Sequence, residues 1–147
     1  MSYDLMVFER TKAPQKRKEF LVWYDKETEW SEEHGYDDSA VTSPALRNWY
    51  EEMIKTFPNM DSPDAEVEDD DAEAHLTEYS IGHNVIYAAF AWSVAEEAYE
   101  KMLVSMNGIW RLSSENNQHH EQDYHLSECR IAAVQLRQCK TLCSVSI

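Results

Sequence analysis

Residues Thr77–Met106, TEYSIGHNVIYAAFAWSVAEEAYEKMLVSM, decide the fold because signals for a hairpin and a helix follow one another without a break. Residues 77–81 and 84–92 are rich in β-branched and aromatic types, and Gly82-His83-Asn84 forms the turn between them, which predicts a β-hairpin. Both sides of the second arm are largely apolar, so we expect a central strand. The agreement of these signals indicates a folding unit, not a chemical site.

The helix after the hairpin is predicted from the residues at its two ends. Ser93 and Glu96 have the spacing of a capping box, in which each side chain accepts a hydrogen bond from the other residue's backbone amide. Asn107 followed by glycine is a typical stop signal. The next segment, Gly108–Leu112, then reads as a closing strand.

The N-terminal half supplies a strand and two further helices. Tyr3–Phe8 has apolar residues on both sides of a predicted first strand, and aromatic residues at helical spacing predict a helix from Pro14 to about Ser31. Ser43 as N-cap and a proline at the next position begin a strongly amphipathic helix that ends before Pro58. The element order predicts an α+β fold, a mainly antiparallel sheet with helices packed on one face, with a ferredoxin-like split βαβ as the nearest topology.

Composition favours one globular domain with a cationic partner. The chain has 147 residues, 43% of them hydrophobic, and a net charge of −15, which disfavours binding to nucleic acids and to anionic membranes. Such a field attracts a basic protein. No segment resembles a signal peptide or a membrane span, so we expect a cytoplasmic protein.

The charge and the residue types divide the chain unevenly. Residues 1–103 contain 9 Lys and Arg against 24 Asp and Glu, and therefore carry the whole net charge. We expect one domain over residues 1–112, interrupted by an exposed acidic loop at 59–76. Residues 113–147 form an atypical tail with a predicted helix at 127–140.

The tail contains the most metal-like cluster of the sequence. Imidazole and carboxylate groups are ligands of zinc and similar ions. The candidate ligands are His119, His120, Asp123 and His125. Their spacing matches no recognised motif, so a solvated polar loop is the favoured interpretation, and no cofactor is expected. The three cysteines are interpreted as packing thiols, because their number is odd and no CxxC occurs.

The acidic residues next to aromatic ones suggest a surface that binds a partner. Aromatic side chains anchor protein interfaces, and a surrounding acidic field selects a cationic partner. The candidate partner-binding residues are Trp30, Tyr36, Asp37, Asp38, Asp64, Glu66, Glu68, Asp69, Asp70 and Asp71. The structural alternative is that Trp30 and Tyr36 simply close the core.

These segments together resemble a family of small acidic bacterial proteins that open with MSYDLMVF. The resemblance covers residues 1–103, and its matching pieces are Tyr3–Phe8, Trp30–Glu32 with Gly35–Asp38, Ser43–Pro58 and Tyr79–Met102. Some relatives are similar to cytoplasmic immunity proteins of bacterial toxin systems. Family members continue into a strand of the type G-V-G-F-F-D, whereas this chain has N-G-I-W-R-L, which suggests a tail replaced by recombination or changed by a frameshift.

Three functional hypotheses follow. The first is a non-enzymatic binding protein, most concretely an immunity-type inhibitor of a basic toxin. The second is a small metal-binding protein or metal-dependent enzyme that uses the tail cluster. The third is a domain that binds a small molecule through its Trp- and Tyr-rich helix faces.

Overall fold

The computed structural model describes residues 2–63, 65, 69–114, 131–136 and 145–146, with side chains described up to residue 106. The strands are β1 Ser2–Glu9, β2 Glu78–Ile81, β3 Val85–Ala91, β4 Ile131–Leu136 and β5 Val145–Ser146. The α-helices are α1 Arg17–Glu27, α2 Pro44–Met53, α3 Asp70–His75 and α4 Ala95–Ser114. Two short 3-10 turns lie at Ser39–Val41 and Trp92–Val94. Within the described residues, no helix combines the length and the apolar character that a membrane span needs.

The strands form one antiparallel sheet in the order β2-β3-β1-β4-β5. Helical connections join β1 to β2 and β3 to β4, so that β3 lies between β1 and β2 as in a split βαβ unit. The α+β fold is therefore confirmed. The predicted hairpin is also confirmed, because β2 and β3 pair directly, with Ile81 opposite Ile86.

The main core lies between one face of the sheet and helices α2 and α4. Leu5 and Val7 of β1 alternate onto this face and pack with Trp49 of α2 and Met102 of α4. Helix α2 begins as predicted, since the Ser43 side chain accepts a hydrogen bond from the Leu46 amide at 3.3 Å. The amphipathic pattern of α2 thus places its apolar face on the sheet.

Helix α1 differs from the expectation that the helices pack on one face, because it covers the opposite face of the sheet. Met6 and Phe8 point to that face, where Phe8 packs against Phe20 and Trp23 with ring centroids 5.3 Å and 5.5 Å apart. The reason lies in β1, whose residues are apolar on both sides. A strand of this kind needs cover on both faces.

Two predictions for the last third of the chain are wrong. Gly108–Leu112 is not a closing strand, because α4 continues through Asn107 and Gly108 to Ser114. The predicted helix at 127–140 is also wrong where the structure describes it, since Ile131–Leu136 is a strand that pairs antiparallel with β1. This pairing satisfies the backbone hydrogen-bonding groups along the second edge of β1, which explains why a segment with a weak helical pattern becomes a strand.

The acidic segment 59–76 is not a loop throughout, because residues 70–75 form helix α3. Asp69 caps this helix by accepting a hydrogen bond from the Ala72 amide at 2.7 Å. The acids of the first turn and His75 in the last turn both match the direction of the helix dipole. Near the start of α4, a 3-10 turn replaces the predicted capping-box geometry, and the α-helix begins at Ala95.

Candidate functional site

A cluster of one carboxylate and two imidazoles joins the loop after α1 to the β2–β3 turn. His34 Nε2 and His83 Nδ1 both contact the same oxygen, Oε2 of Glu32, and the His83 contact measures 2.6 Å. The two ring nitrogens lie 3.2 Å from each other. The fold therefore brings three potential ligand atoms together from positions as far as 51 residues apart in sequence. We call these three residues the Glu–His–His cluster.

Aromatic contacts hold the loop that carries Glu32 and His34. Trp30 turns the chain with a φ of 49°, in the left-handed region, and its ring packs edge-on against Tyr36 at 5.0 Å and Tyr87 at 6.3 Å. The Glu32 amide donates a hydrogen bond to the Tyr36 hydroxyl at 2.7 Å, and the Ile81 amide donates to the Tyr36 carbonyl at 2.8 Å. These contacts fix the loop to the end of β2.

Glu32 and His34 of the Glu–His–His cluster stabilise each other's charged forms. Burial raises the pKa of the Glu32 carboxyl, but the hydrogen bonds from His83 and His34 outweigh this effect and leave the pKa below its usual range. The hydrogen bond to the Gly35 carbonyl, followed by the contact with Glu32, raises the pKa of His34. Both ring nitrogens of His34 face acceptors, so the protonated imidazolium is stabilised in the absence of another cation.

A second feature is an acidic surface formed by α3 and the beginning of α4. Residues 69–100 contain eight Asp and Glu residues and no Lys or Arg. Helix α3 packs against the 3-10 turn Trp92–Val94, from which α4 starts. The exposed residues of this α3–α4 acidic surface are Asp70, Asp71, Glu73, Glu96 and Glu97, together with the indole of Trp92.

His75 connects the two helices of the α3–α4 acidic surface. Its Nδ1 donates a hydrogen bond to the Asp71 carbonyl at 2.8 Å, and its Nε2 lies 3.1 Å from a carboxylate oxygen of Glu97. The ring also stacks on Phe57. The bond to the Asp71 carbonyl and the contact with Glu97 outweigh burial and raise the pKa of His75 above its ordinary value of 6.5.

We expect Glu97→Gln to lower the free energy of unfolding by about 0.2–1 kcal/mol near pH 5.5 and to have a much smaller effect at pH 8.5. A histidine whose folded-state pKa is raised stabilises the protein below its unfolded pKa and loses this contribution as the pH rises through the folded value. Urea unfolding at both pH values measures the difference. Glu100→Gln is the matched control, and a Glu97→Gln effect that is equal at both pH values would contradict the assignment.

The aromatic residues predicted to anchor a partner have contacts within the fold. Trp30 and Tyr36 are half-buried and pack on each other. Asp37 is exposed, and Asp38 is exposed while its side chain accepts a hydrogen bond from the Ala40 amide at 2.8 Å. These four residues thus shape the loop before α2.

The predicted acidic residues divide between the described and the undescribed parts of the chain. Asp69 is the N-cap of α3, and Asp70 and Asp71 are exposed in its first turn. The other predicted acids, Asp64, Glu66 and Glu68, lie outside the described residues. So does the predicted metal cluster of His119, His120, Asp123 and His125.

The Glu–His–His cluster and Trp92 were not predicted as functional positions. In the sequence, Glu32 belongs to the segment Trp30–Glu32 of the family resemblance, and His83 lies in the predicted turn of the hairpin. One signal was present in the sequence, since a histidine in a hairpin turn is exposed and free to meet another loop. The loop that carries Glu32 and His34, however, is positioned by tertiary contacts, which local sequence patterns do not show.

Comparisons with protein-family models, with curated proteins and with solved structures found no match to this chain.

Proposed function

We propose that this chain is a non-enzymatic binding protein that recognises a cationic protein through the α3–α4 acidic surface. The observation that carries the proposal is the exposure of Trp92, a residue that is 56% exposed beside a surface made of acids. A large exposed aromatic residue is an efficient interface anchor, because it buries much apolar area at a low cost in side-chain entropy.

The charge distribution defines the chemistry of the partner. The eight acids between residues 69 and 100 have no Lys or Arg among them, so the local field is negative. A field of this kind accelerates encounter with a basic surface and repels acidic ones. The partner is therefore a protein with a Lys- and Arg-rich surface that accepts an indole ring at its centre.

The most concrete form of this function is immunity-type inhibition of a basic bacterial toxin in the cytoplasm. The acidic surface would occupy a basic cleft that normally holds a nucleic acid, and the mechanism would be occlusion, not chemistry. The resemblance of residues 1–103 to small acidic bacterial proteins with immunity-like relatives supports this form. The exposed Trp92 and the exposed acids of the α3–α4 acidic surface support docking of a basic toxin at this place.

The proposal is tested by capture of basic proteins from the native host lysate with matched baits. The α3 variant Asp70→Asn, Asp71→Asn, Glu73→Gln removes three exposed charges and keeps the Asp69 cap. The control Asp25→Asn, Glu29→Gln, Glu51→Gln removes three exposed charges elsewhere. We expect wild type and control to retain one stoichiometric basic protein at low salt, and the α3 variant to lose most of it.

Affinity measurements with the captured protein then separate the contribution of Trp92 to binding from the contribution of the acidic charges. Trp92→Ala is expected to weaken binding by about 30-fold or more, because a central anchor is worth 2 kcal/mol or above. Equal retention by the α3 variant and the control, or binding that does not change with salt, would contradict the proposal.

A further inference from the structure

The Glu–His–His cluster has the composition and the spacing of a metal site. Glu32 and His34 come from the loop after α1, and His83 comes from the β2–β3 turn. One ligand atom from each residue lies within 4.8 Å of the others. No other residues within the described part of the chain form a group of three potential metal ligands at this spacing.

The distance between the two imidazoles fits a shared ion. Zinc binds imidazole nitrogen at about 2.0–2.1 Å, which places two nitrogens of a tetrahedral site about 3.3 Å apart. His34 Nε2 and His83 Nδ1 are 3.2 Å apart. Glu32 Oε2 lies closer to each ring nitrogen than two ligands of a tetrahedral site lie to each other. A small rotation of the carboxylate would open the space between the three atoms.

We propose that Glu32, His34 and His83 bind a divalent transition-metal ion of the zinc class. Two imidazoles and one carboxylate are a donor set that suits zinc and its neighbours in the first row better than magnesium or calcium, which prefer oxygen ligands alone. Three protein ligands leave at least one coordination position for solvent or for a ligand. The His83 side chain is exposed, so this position is accessible.

Further hydrogen bonds orient the three candidate ligands, as hydrogen bonds to the ligands do in metal sites of proteins. His34 Nδ1 donates to the Gly35 carbonyl at 2.7 Å, which in the neutral ring leaves the Nε2 lone pair directed at the cluster. The His83 amide donates to Glu32 Oε2 at 3.0 Å and holds the carboxylate in place. The Thr42 hydroxyl donates to the His83 carbonyl at 3.3 Å. An ion would replace the protons between the ligands and leave the bonds to the Gly35 and His83 carbonyls intact.

The chain approaches the cluster closely at Gly82. A Cβ atom at this position would lie 3.3 Å from Glu32 Oε1, tighter than most such contacts. A side chain here would therefore press on the carboxylate. The glycine leaves Glu32 free to adopt the position that both histidines share.

The test is titration of chelator-treated protein with Co²⁺ by visible absorption and with Zn²⁺ by calorimetry. The reference protein carries His119→Gln, His120→Gln and His125→Gln, so that the tail cannot supply histidine ligands. We expect this reference to bind one equivalent of either ion with the absorption of a low-coordinate nitrogen- and oxygen-ligated Co²⁺ site. In the same background, His34→Gln and His83→Gln are each expected to weaken binding by at least about tenfold.

His75→Gln is the matched control, because His75 also bonds one carbonyl and one carboxylate but contacts no second imidazole within the described part of the chain. It should bind the ion as the reference does. Histidine ring NMR signals of the unsubstituted protein give a readout that does not depend on variants, and Zn²⁺ should shift His34 and His83 while leaving His75 unchanged. No stoichiometric binding by the reference, equal affinity after His34→Gln and His83→Gln, or signals of both residues that do not move would each overturn the proposal.

Discussion

Trp49→Ala is expected to lower the free energy of unfolding by about 3–5 kcal/mol, as the loss of a buried aromatic side chain typically does. Trp49 has no exposed surface and lies in the core between α2, α4 and the sheet. Its removal would leave a cavity in this core, which the surrounding structure fills only in part. Urea unfolding followed by circular dichroism measures the change.

Trp49→Phe is the variant that tests the reason for this loss. The indole Nε1 is buried and makes no hydrogen bond within the described part of the structure. Phenylalanine keeps most of the apolar ring and removes an unpaired donor, so it should lose much less stability than alanine. A Trp49→Ala loss below about 1 kcal/mol, or a Trp49→Phe loss as large as that of alanine, would contradict the packing described.

Phe8→Ala is expected to destabilise the protein by a similar amount, about 3–5 kcal/mol, through the second face of the sheet. Phe8 is 3% exposed and packs against Phe20 and Trp23 of α1. We further expect faster amide hydrogen exchange along α1 than along α2, because α1 loses its main contact with the sheet. Denaturant unfolding and exchange measurements on one sample report both effects.

Val22→Ala is the matched control on α1, since Val22 is 72% exposed. It should change the free energy of unfolding by no more than about 0.5 kcal/mol. If Phe8→Ala were equally mild, α1 would not be packed on the second face. The difference in stability loss between Phe8→Ala and Val22→Ala therefore tests whether α1 covers the second face of the sheet.

Local sequence signals predicted the parts of the fold that depend on neighbouring residues. The hairpin of β2 and β3 follows from one continuous stretch, residues 77–92, and the cap of α2 follows from Ser43 and the proline after it. The same reasoning failed at Asn107-Gly108, where the helix continues. A stop signal is worth about 1 kcal/mol, and the longer amphipathic pattern of α4 outweighs it.

Long-range pairing explains the errors in the last third of the chain. Ile131–Leu136 has apolar residues on several sides, which is compatible with a poor helix or with a covered strand. The conformation of this segment is decided by β1, because the segment pairs along the second edge of that strand. Neither partner shows this edge pairing in its own sequence. The cover of the second face by α1, by contrast, has a sequence signal in the apolar residues on both sides of β1.

The two candidate sites also differ in how far the sequence predicts them. Acidic residues at Asp70 and Asp71 were predicted as partner-binding from composition, and the structure adds Trp92 and the first turn of α4 to the same surface. The Glu–His–His cluster depends on two loops that meet only in the fold. Spacing within the sequence carries no trace of that contact.

The most direct test of the proposed binding surface uses a defined cationic probe and needs no knowledge of the natural partner. Amide and indole NMR signals of the isotope-labelled protein are followed while a Lys- and Arg-rich peptide is added at low and then at higher salt. We expect the shifts to concentrate on the Trp92 indole, α3 and the first turn of α4, and to diminish as salt is added. Shifts spread over all acidic residues, or centred on Asp37 and Asp38 with Trp92 unchanged, would contradict recognition through the α3–α4 acidic surface.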